Sequence, residues 1–381
     1  MACRGPLSGY RVLDMTQFES GTVCTETLAW LGADVFKVER PVKGELGRYS
    51  QANPGVDSYG FLVMNMNKKS ITCNAKAPEG LDLLRRLVAK CDVVVENMGP
   101  GSMDNLGLTY EACRQINPKI VYASLKGFAQ DGPYADYPAF DPIATHTGIT
   151  LAMSIIAALL QREREGIGQR VDVAMQDFMI GLSRSQWEPY LNNGKPNRRV
   201  ANGMPLEDVA PSDTYPCKPF GPNDYVHIYC SRHPGSKQWD NLCDVIGRPD
   251  LKQDVCPEMA TPRSRYEHRE ICDSAIKEWL KDYDKITAMD ILCKADIPAG
   301  ALLDCADITN DPQYLGRGMI VEIEHPERGK VKVPGFAPRL SENHVEYQCS
   351  PALGGSNQEV YGGLLGLSGE ELDALKEKKV I

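Results

Sequence analysis

The chain has 381 residues, 42% of them hydrophobic, and a chain of this length is expected to form two domains rather than one. Its 51 acidic and 42 basic side chains give a net charge of −9, which argues against general nucleic-acid binding. No apolar run is long enough for a signal peptide or a membrane span, so we expect a cytoplasmic protein without a membrane partner.

The N-terminal part of the chain alternates strands with helices. A β-rich run at 10–14 is followed by helical spacing at 23–31, by Gly32 where a helix-terminating glycine belongs, and by a second strand at 33–38. The alternation continues with strands predicted at 70–74, 92–96, 120–124 and 169–173, and helices at 77–89, 110–116 and 149–165. This pattern is typical of an α/β, Rossmann-like parallel sheet, which binds ligands at the carboxyl ends of its strands.

An irregular stretch rich in Pro, Gly and Asn near 192–216 predicts a break between domains. We expect a linker at 196–224, followed by a smaller α+β domain at 225–324 that is helical after its first strand. The large domain is expected to comprise 1–195 together with 325–381.

The sequence lacks the signatures of common cofactors. The first strand–helix turn, Gln17–Thr22, has no G-x-G-x-x-G fingerprint, and no Walker A motif occurs, which argues against a nucleotide-dependent dehydrogenase. The 13 cysteines form no C-x-x-C pair, and the six histidines show no ligand spacing. We therefore expect no metal site, no disulfide framework and no prosthetic group.

Basic residues near several predicted strand ends indicate an anion site. Arg40 follows the second strand, Lys68 precedes the third, and Lys126 follows the strand at 120–124. Each fits a solvated surface side chain equally well, but their convergence on one edge of the sheet favours a phosphorylated ligand. The loop Asn97–Gly101 offers backbone amides to such a site, although its spacing also fits an ordinary turn.

Asp177 gains its significance only from context. It lies where a helix is predicted to begin, a position at which a carboxylate commonly just stabilises the helix. The run that ends with it, Gly168–Asp177, resembles the family III CoA-transferases (CaiB/BaiF superfamily). The resemblance covers nearly the whole chain in order, through the runs 6–16, 28–41, 65–71, 92–101, 117–127, 296–300 and 311–318. The N-terminal half is most similar to the formyl-CoA:oxalate type.

The resemblance implies an interlocked homodimer whose Rossmann-like domain, built from both termini, binds CoA. It implies that Asp177 is the catalytic carboxylate, which forms a mixed anhydride with the acyl group and then a thioester with CoA. The implied substrates are an acyl-CoA and a free carboxylic acid. The implied CoA contacts are Gln17, Phe18, Arg40, Lys68, Asn97 and Lys126.

Three departures from the formyl-CoA:oxalate type concern the reacting acids. The glycine run that covers the active site in that type is replaced at 200–207, a tyrosine is Phe128 here, and a phosphate-binding arginine is Asn105. These differences argue against oxalate and formate and leave the acid pair open. A racemase of the same superfamily needs a histidine near 138–141, where this chain has none. A CoA-dependent lyase and a non-catalytic CoA-binding protein remain alternatives.

The family also places a Gly-rich segment between the runs that here end at Ala144 and begin at Thr145. The sequence lacks this segment, either through a deletion or because a disordered stretch is missing from it. Since long loops are often disordered, we favour the second explanation and a mobile active-site segment at this point. It predicts that the Ala144 and Thr145 Cα atoms are much farther apart than the ~3.8 Å of a trans peptide.

Overall fold

The computed structural model describes residues 5–49, 56–137, 144–184, 187–196, 209–230 and 236–381. The chain divides into two compact units, one formed by Met1–Leu182 and Pro312–Ile381 and the other by Ser183–Asp311. Relative to the predicted domains, residues 183–195 fall in the smaller unit and residues 312–324 in the larger one.

A six-stranded parallel sheet forms the centre of the larger unit. Its strands are β1 Arg11–Met15, β2 Asp34–Glu39, β3 Lys69–Thr72, β4 Val93–Glu96, β5 Val121–Lys126 and β6 Arg170–Ala174. They stand in the order β3-β2-β1-β4-β5-β6, and every neighbouring pair is parallel. The predicted α/β class with a parallel sheet is therefore confirmed.

Helices pack on both faces of this sheet. They are α1 Ser20–Trp30, α2 Tyr59–Met64, α3 Pro78–Val88, α4 Ser102–Leu106, α5 Tyr110–Ile116, α6 Ala144–Glu165 and α7 Met175–Leu182. Buried residues of α1 and α6 share an apolar cluster with Val12, whereas those of α3 and α5 share another with Leu13. Because successive side chains of a strand point to opposite faces, β1 contributes to both cores.

Helix α6 contradicts the prediction of an omitted segment. It runs from Ala144 to Glu165 without interruption, so Ala144 and Thr145 occupy consecutive positions of one helix. Consecutive helical residues are joined by an ordinary peptide bond, and the predicted wide separation of their Cα atoms is wrong.

The smaller unit is an α+β structure with a three-stranded antiparallel sheet. Its strands are β7 Ser212–Pro216, β8 Tyr225–Tyr229 and β9 Ala299–Ala301, and its helices are α8 Trp187–Asn193, α9 Gln238–Val245, α10 Pro262–Glu267, α11 Arg269–Leu280, α12 Lys285–Lys294 and α13 Cys305–Asn310. Strand β7 lies inside the predicted linker, 196–224, and pairs along its length with β8. Pro211 precedes this strand and Pro216 is its last residue, and proline normally argues against a strand.

The C-terminal part of the chain returns to the larger unit. It contains α14 Pro312–Gly316, β10 Ile320–His325, β11 Gly329–Pro334, a π-helix Gln358–Leu364 and α15 Gly369–Glu377. Leu372, Val380 and Ile381 pack with α3 in the core of that unit. Among the helices in the described ranges, none has the length and apolar character that crossing a membrane requires.

Candidate active site

The carboxyl ends of the parallel strands form the edge at which α/β sheets bind ligands. The strand order reverses at β1 and β4, which are neighbours in the sheet but not in sequence. The loops after these two strands run in opposite directions, so a ligand can contact both of them there. Gln17 follows β1 and Asn97 follows β4, which places two of the predicted CoA contacts at this reversal point.

Gln17 and Asn97 are joined by a reciprocal pair of hydrogen bonds. The Gln17 backbone N–H donates to Asn97 Oδ1 at 2.8 Å, and Asn97 Nδ2 donates to the Gln17 carbonyl at 2.8 Å. One side-chain amide thus satisfies both backbone groups of Gln17. The two loops are fixed to each other at the point where a ligand would cross from one to the other.

Buried charged groups hold the residues on either side of this glutamine. The Thr16 N–H donates to Asp14 Oδ1 at 2.9 Å, and Lys37 Nζ donates to the Thr16 carbonyl at 3.2 Å. The Phe18 N–H donates to Glu45 Oε1 at 3.1 Å, and Glu45 also forms an ion pair with Lys37. Burial alone would lower the pKa of Lys37, but Asp14 and Glu45 raise it above its ordinary value, so this ammonium stays charged.

Phe18 combines an unusual backbone with an exposed ring. Its φ is 60°, a left-handed conformation that costs a residue other than glycine about 1–2 kcal/mol. The Glu45 hydrogen bond and a second one, from Thr22 Oγ1 to the Phe18 carbonyl, hold it in this conformation. The side chain is 45% exposed and remains available to an aromatic or apolar ligand group.

A cavity of about 390 Å³, here called the basic cavity, opens at the ends of β1, β2, β3 and β4. Four basic side chains line it: Arg40, Lys43, Lys76 and Lys379. In the described part of the chain none of the four forms an ion pair. The carboxylate in its lining, Glu39, is instead bound by Arg48, whose Nε and Nη2 donate to it at 2.9 and 2.6 Å. Unbalanced cations beside apolar Val38 and Met98 suit a ligand that carries both phosphate and a flat ring.

Lys126 stands at the end of β5 and is oriented by the β4 strand end. Its Nζ donates to Glu96 Oε2 at 2.7 Å and to the Met98 carbonyl at 2.5 Å, and the Met98 N–H donates to the same Glu96 oxygen at 2.9 Å. Glu96 is almost completely buried, while 14% of the Lys126 side chain is exposed. An ammonium has three donors, so one remains for a ligand.

The Lys68 side chain is turned into the core, and its predicted contact with CoA stays a prediction. The Lys68 side chain is fully buried, with Nζ 3.2 Å from Asp14 Oδ2 and donating to the Thr22 carbonyl at 2.9 Å and to Asn65 Oδ1 at 2.8 Å. All three donors are thus used inside the protein. Burial alone would raise the pKa of Asp14, but Lys68 and Lys37 hold it below its ordinary value. Lys68 neutralises a core carboxylate and does not reach the edge.

Asp177 lies in the first turn of α7, directly after β6. The carboxylate side chain is exposed. The Gln176 N–H donates to the Gly127 carbonyl at 3.1 Å, and Lys126 is the register partner of Ala174. Asp177 therefore shares the strand-end edge with Lys126, toward the opposite end of the sheet from β3.

Several site residues escaped the sequence analysis. Lys43 and Lys76 follow strands just as Arg40 does, and this position was the signal that could have found them. Lys379 and Glu45 carry no such signal, because their places depend on tertiary packing.

Phe128 packs against the rings of Tyr134 and Tyr137. The stretches 138–141 and 200–207, on which the racemase argument and the missing glycine run depend, lie outside the described residues.

A parallel sheet with a cation-lined cavity and an exposed carboxylate at one edge defines an α/β protein with a cavity suited to an anionic ligand. The model of CoA-transferase family III matches residues 7–147 and 144–357. The formyl-CoA:oxalate CoA-transferases of Streptomyces coelicolor and Streptomyces avermitilis are 39% and 40% identical, with 98% of this chain and 99% of each relative covered. The crystal structure of a CAIB/BAIF family protein from Brucella suis superposes with a TM-score of 0.82 at 30% identity, covering 95% of this chain and 100% of that one.

The chain therefore belongs to CoA-transferase family III, and the predicted enzyme class, a CoA-transferase that acts on acyl-CoA, is confirmed.

The comparisons also bear on the missing segment. The two family matches meet at 144–147, where α6 begins, and the alignment with the S. coelicolor relative extends over 413 positions, more than the 381 residues of this chain. The relative thus has residues that this chain lacks, in agreement with a deletion.

Proposed function

We propose that this protein moves CoA from an acyl-CoA to a free carboxylic acid through a covalent intermediate on Asp177. The observation that supports this most directly is that an exposed carboxylate and the basic cavity share one edge of the sheet. CoA thioesters carry phosphates at one end and a reactive carbonyl at the other. A ligand of this construction fits an edge that offers cations at one end and a nucleophile at the other.

In the proposed reaction, the Asp177 carboxylate attacks the thioester carbonyl of the donor, the C–S bond breaks, and CoA leaves as a thiolate. The product is a mixed anhydride of Asp177 and the acyl group. The thiolate then attacks the aspartyl carbonyl, which releases the donor acid and forms an aspartyl-CoA thioester. The acceptor acid reverses both steps. Since each step exchanges bonds of similar energy, no ATP is required.

CoA is proposed to lie along the strand-end edge with its nucleotide in the basic cavity. Arg40 presents a guanidinium to the phosphates, and Phe18 offers an exposed ring on which a base can stack. Gln17 and Asn97 border the path toward Asp177. Lys126 adds one cation near the reacting end, where negative charge develops on the attacked carbonyl oxygen.

The two acids are not fixed by these residues. The names of the relatives make formyl-CoA and oxalate the first pair to test. Phe128, Tyr134 and Tyr137 form an aromatic group on the loop after β5, with ring centroids 5.2 to 6.1 Å apart. Because this loop is bound to the start of α7, larger and more apolar acids belong in the same panel.

A homodimer is proposed as the active form, with the interlocked topology that the resemblance implies. On α6, Ile149, Met153 and Leu160 are 50%, 63% and 53% exposed, an apolar stripe on the side away from the sheet. Such a stripe is typical of a helix that packs against a partner. Sedimentation equilibrium of the wild type and of Met153→Glu tests the proposed dimer. Met153→Glu should weaken it, and a monomeric wild type would contradict the proposal. The cytoplasmic location and the absence of a prosthetic group stay predictions.

The covalent mechanism is tested by mass spectrometry of the intact protein after incubation with a panel of acyl-CoAs, followed by hydroxylamine. We expect an adduct on the peptide that contains Asp177, and its loss in Asp177→Asn together with a drop in kcat of about 10⁴-fold or more. Asp172→Asn is the matched control, since Asp172 is an exposed carboxylate on the preceding strand. It should retain the adduct.

Two other outcomes would redirect the proposal. An adduct that survives in Asp177→Asn would mean that a different residue is the nucleophile. CoA binding without any adduct from the whole panel would favour a racemase, a CoA-dependent lyase or a non-catalytic CoA-binding protein. Exchange of the acyl-CoA α-proton with solvent deuterium then separates the racemase from the other two.

A further inference from the structure

The last residues of the chain are anchored beside the basic cavity. Helix α15 ends at Glu377, and the residues Val380 and Ile381 are 2% and 7% exposed in the core of the larger unit. The Asn74 N–H donates to the Val380 carbonyl at 2.7 Å, which ties the tail to the segment after β3. The tail is therefore a fixed part of the site wall, built from residues far away in sequence.

Two consecutive lysines of this tail have different surroundings. Lys378 is exposed and forms an ion pair with Glu79, with Nζ 3.2 Å from Oε1. Lys379 adopts a left-handed backbone, with φ of 56°, and lines the basic cavity, as Lys76 also does. A residue other than glycine pays for this conformation with strain, and the buried neighbours that follow it hold it there. The tail thus adds one cation, Lys379, to the lining of the cavity.

The order of the strands sets the direction in which CoA must lie. Asp177 follows β6 at one end of the sheet, and the basic cavity surrounds the ends of β3, β2, β1 and β4. Neighbouring strands are about 4.8 Å apart, so the edge from β6 to β3 is long enough for an extended cofactor. With the thioester at Asp177, the part of CoA most distant from the thiol reaches the β3 end, where Lys76 and Lys379 lie.

We propose that Lys379, together with Lys76, binds the 3′-phosphate of CoA and so makes the enzyme distinguish CoA from dephospho-CoA. This inference rests on the proposed function, because it uses Asp177 to orient the cofactor. A phosphate monoester carries nearly two negative charges at neutral pH and accepts several hydrogen bonds. It is therefore the CoA group that gains most from two lysines that have no carboxylate partner among the described residues.

Isothermal titration with CoA and with dephospho-CoA tests the proposal on Lys379→Gly, Lys379→Arg and the control Lys378→Ala. Glycine suits the left-handed backbone at this position, so Lys379→Gly removes the cation without adding strain. We expect Lys379→Gly to weaken CoA binding about fivefold and to leave dephospho-CoA binding unchanged. Lys379→Arg should keep most of the preference for CoA, and Lys378→Ala should bind both ligands as wild type does.

Each other result has a definite meaning. Wild type that binds both ligands equally well, or a Lys379→Gly variant with unchanged preference, overturns the role of Lys379 while the proposed function stands. Equal weakening of both ligands overturns it as well, since a general change in the cavity would then be responsible. If Lys379→Gly does not fold by circular dichroism, Lys379→Gln gives the same comparison with a side chain of similar length. Wild type that binds neither ligand contradicts the proposed function itself.

Discussion

The two ends of the ligand-binding edge are constructed differently. Around the reversal point, the backbone of Thr16, Gln17 and Phe18 is held by side chains from other parts of the larger unit. At the β6 end, the start of α7 is attached to the neighbouring loop through the Gln176 N–H, and the Asp177 side chain is exposed. At the reversal point the backbone is held by contacts within one chain, whereas at the β6 end the carboxylate is exposed. These are called the rigid end and the open end below.

The chemistry of the proposed reaction accounts for this difference. The nucleotide part of CoA is the same for every substrate, so a preorganised pocket lowers the entropic cost of binding it. The reacting carboxylate must instead accept a donor thioester, a thiolate and an acceptor acid in turn. An exposed Asp177 meets that need before substrate binds, and a second copy of the chain or the CoA itself can exclude water later.

The contrast predicts that the two ends respond differently to the loss of a charged side chain. Lys68→Met should lower the free energy of unfolding by about 3–5 kcal/mol, because it leaves the Asp14 carboxylate buried without its nearest cation. Urea denaturation followed by circular dichroism measures the change. Asp177→Asn is the comparison variant and should stay within about 0.5 kcal/mol of wild type, since the side chain it alters is exposed.

A Lys68→Met protein as stable as wild type would contradict the rigid-scaffold interpretation. It would mean that Asp14 takes up a proton or is neutralised by Lys37 at little cost. Folded Lys68→Met that loses CoA affinity at unchanged stability would instead restore Lys68 as a ligand contact. The two measurements together therefore decide between the structural role and the role first predicted for this lysine.

Asn97→Ala tests the rigid end more gently. It removes both hydrogen bonds to the Gln17 backbone, and the two groups left without partners each cost free energy in a half-buried loop. We expect the Kd for CoA to rise about tenfold, which corresponds to roughly 1.4 kcal/mol. Asn310→Ala is the matched control, because Asn310 is an exposed asparagine on α13 in the smaller unit. Equal affinities of the two variants would show that the Gln17–Asn97 link does not shape the site.

Much of the larger unit could be predicted from sequence, for a physical reason. A parallel strand is buried on both faces, so it appears as a continuous apolar run such as Val93–Val95, and its helices are terminated by recognisable residues such as Gly32. Strand β7 was missed because only Tyr215 among its side chains is large and apolar, and its burial depends on the smaller unit around it.

The site was predicted less evenly. Gln17, Arg40, Asn97 and Lys126 lie at strand ends, because the carboxyl ends of parallel strands meet at one edge, and their contacts with CoA stay predictions. The burial of Lys68 could not be predicted, because a position next to a strand does not reveal whether the side chain points outward or into the core. Its partner Asp14 lies on another strand, and no local pattern in the sequence connects the two.

A pH-dependent effect on stability is expected from Glu26, a carboxyl group buried near Lys68. Burial raises its pKa to about 8, although Lys68 and the Met66 N–H, which donates to Oε1 at 2.8 Å, lower it. Between the ordinary pKa and about 8 the folded protein keeps this proton and the unfolded chain loses it, so stability falls as pH rises.

Glu26→Gln keeps the shape and the hydrogen bond but removes the titration. Near pH 8 it should raise the free energy of unfolding by on the order of 2 kcal/mol, and near pH 5 it should leave it almost unchanged. Urea denaturation of both proteins at these two pH values measures the difference. A variant less stable than wild type at both would mean that Glu26 is ionised in the fold and paired with Lys68, which would extend the charged scaffold by one more residue.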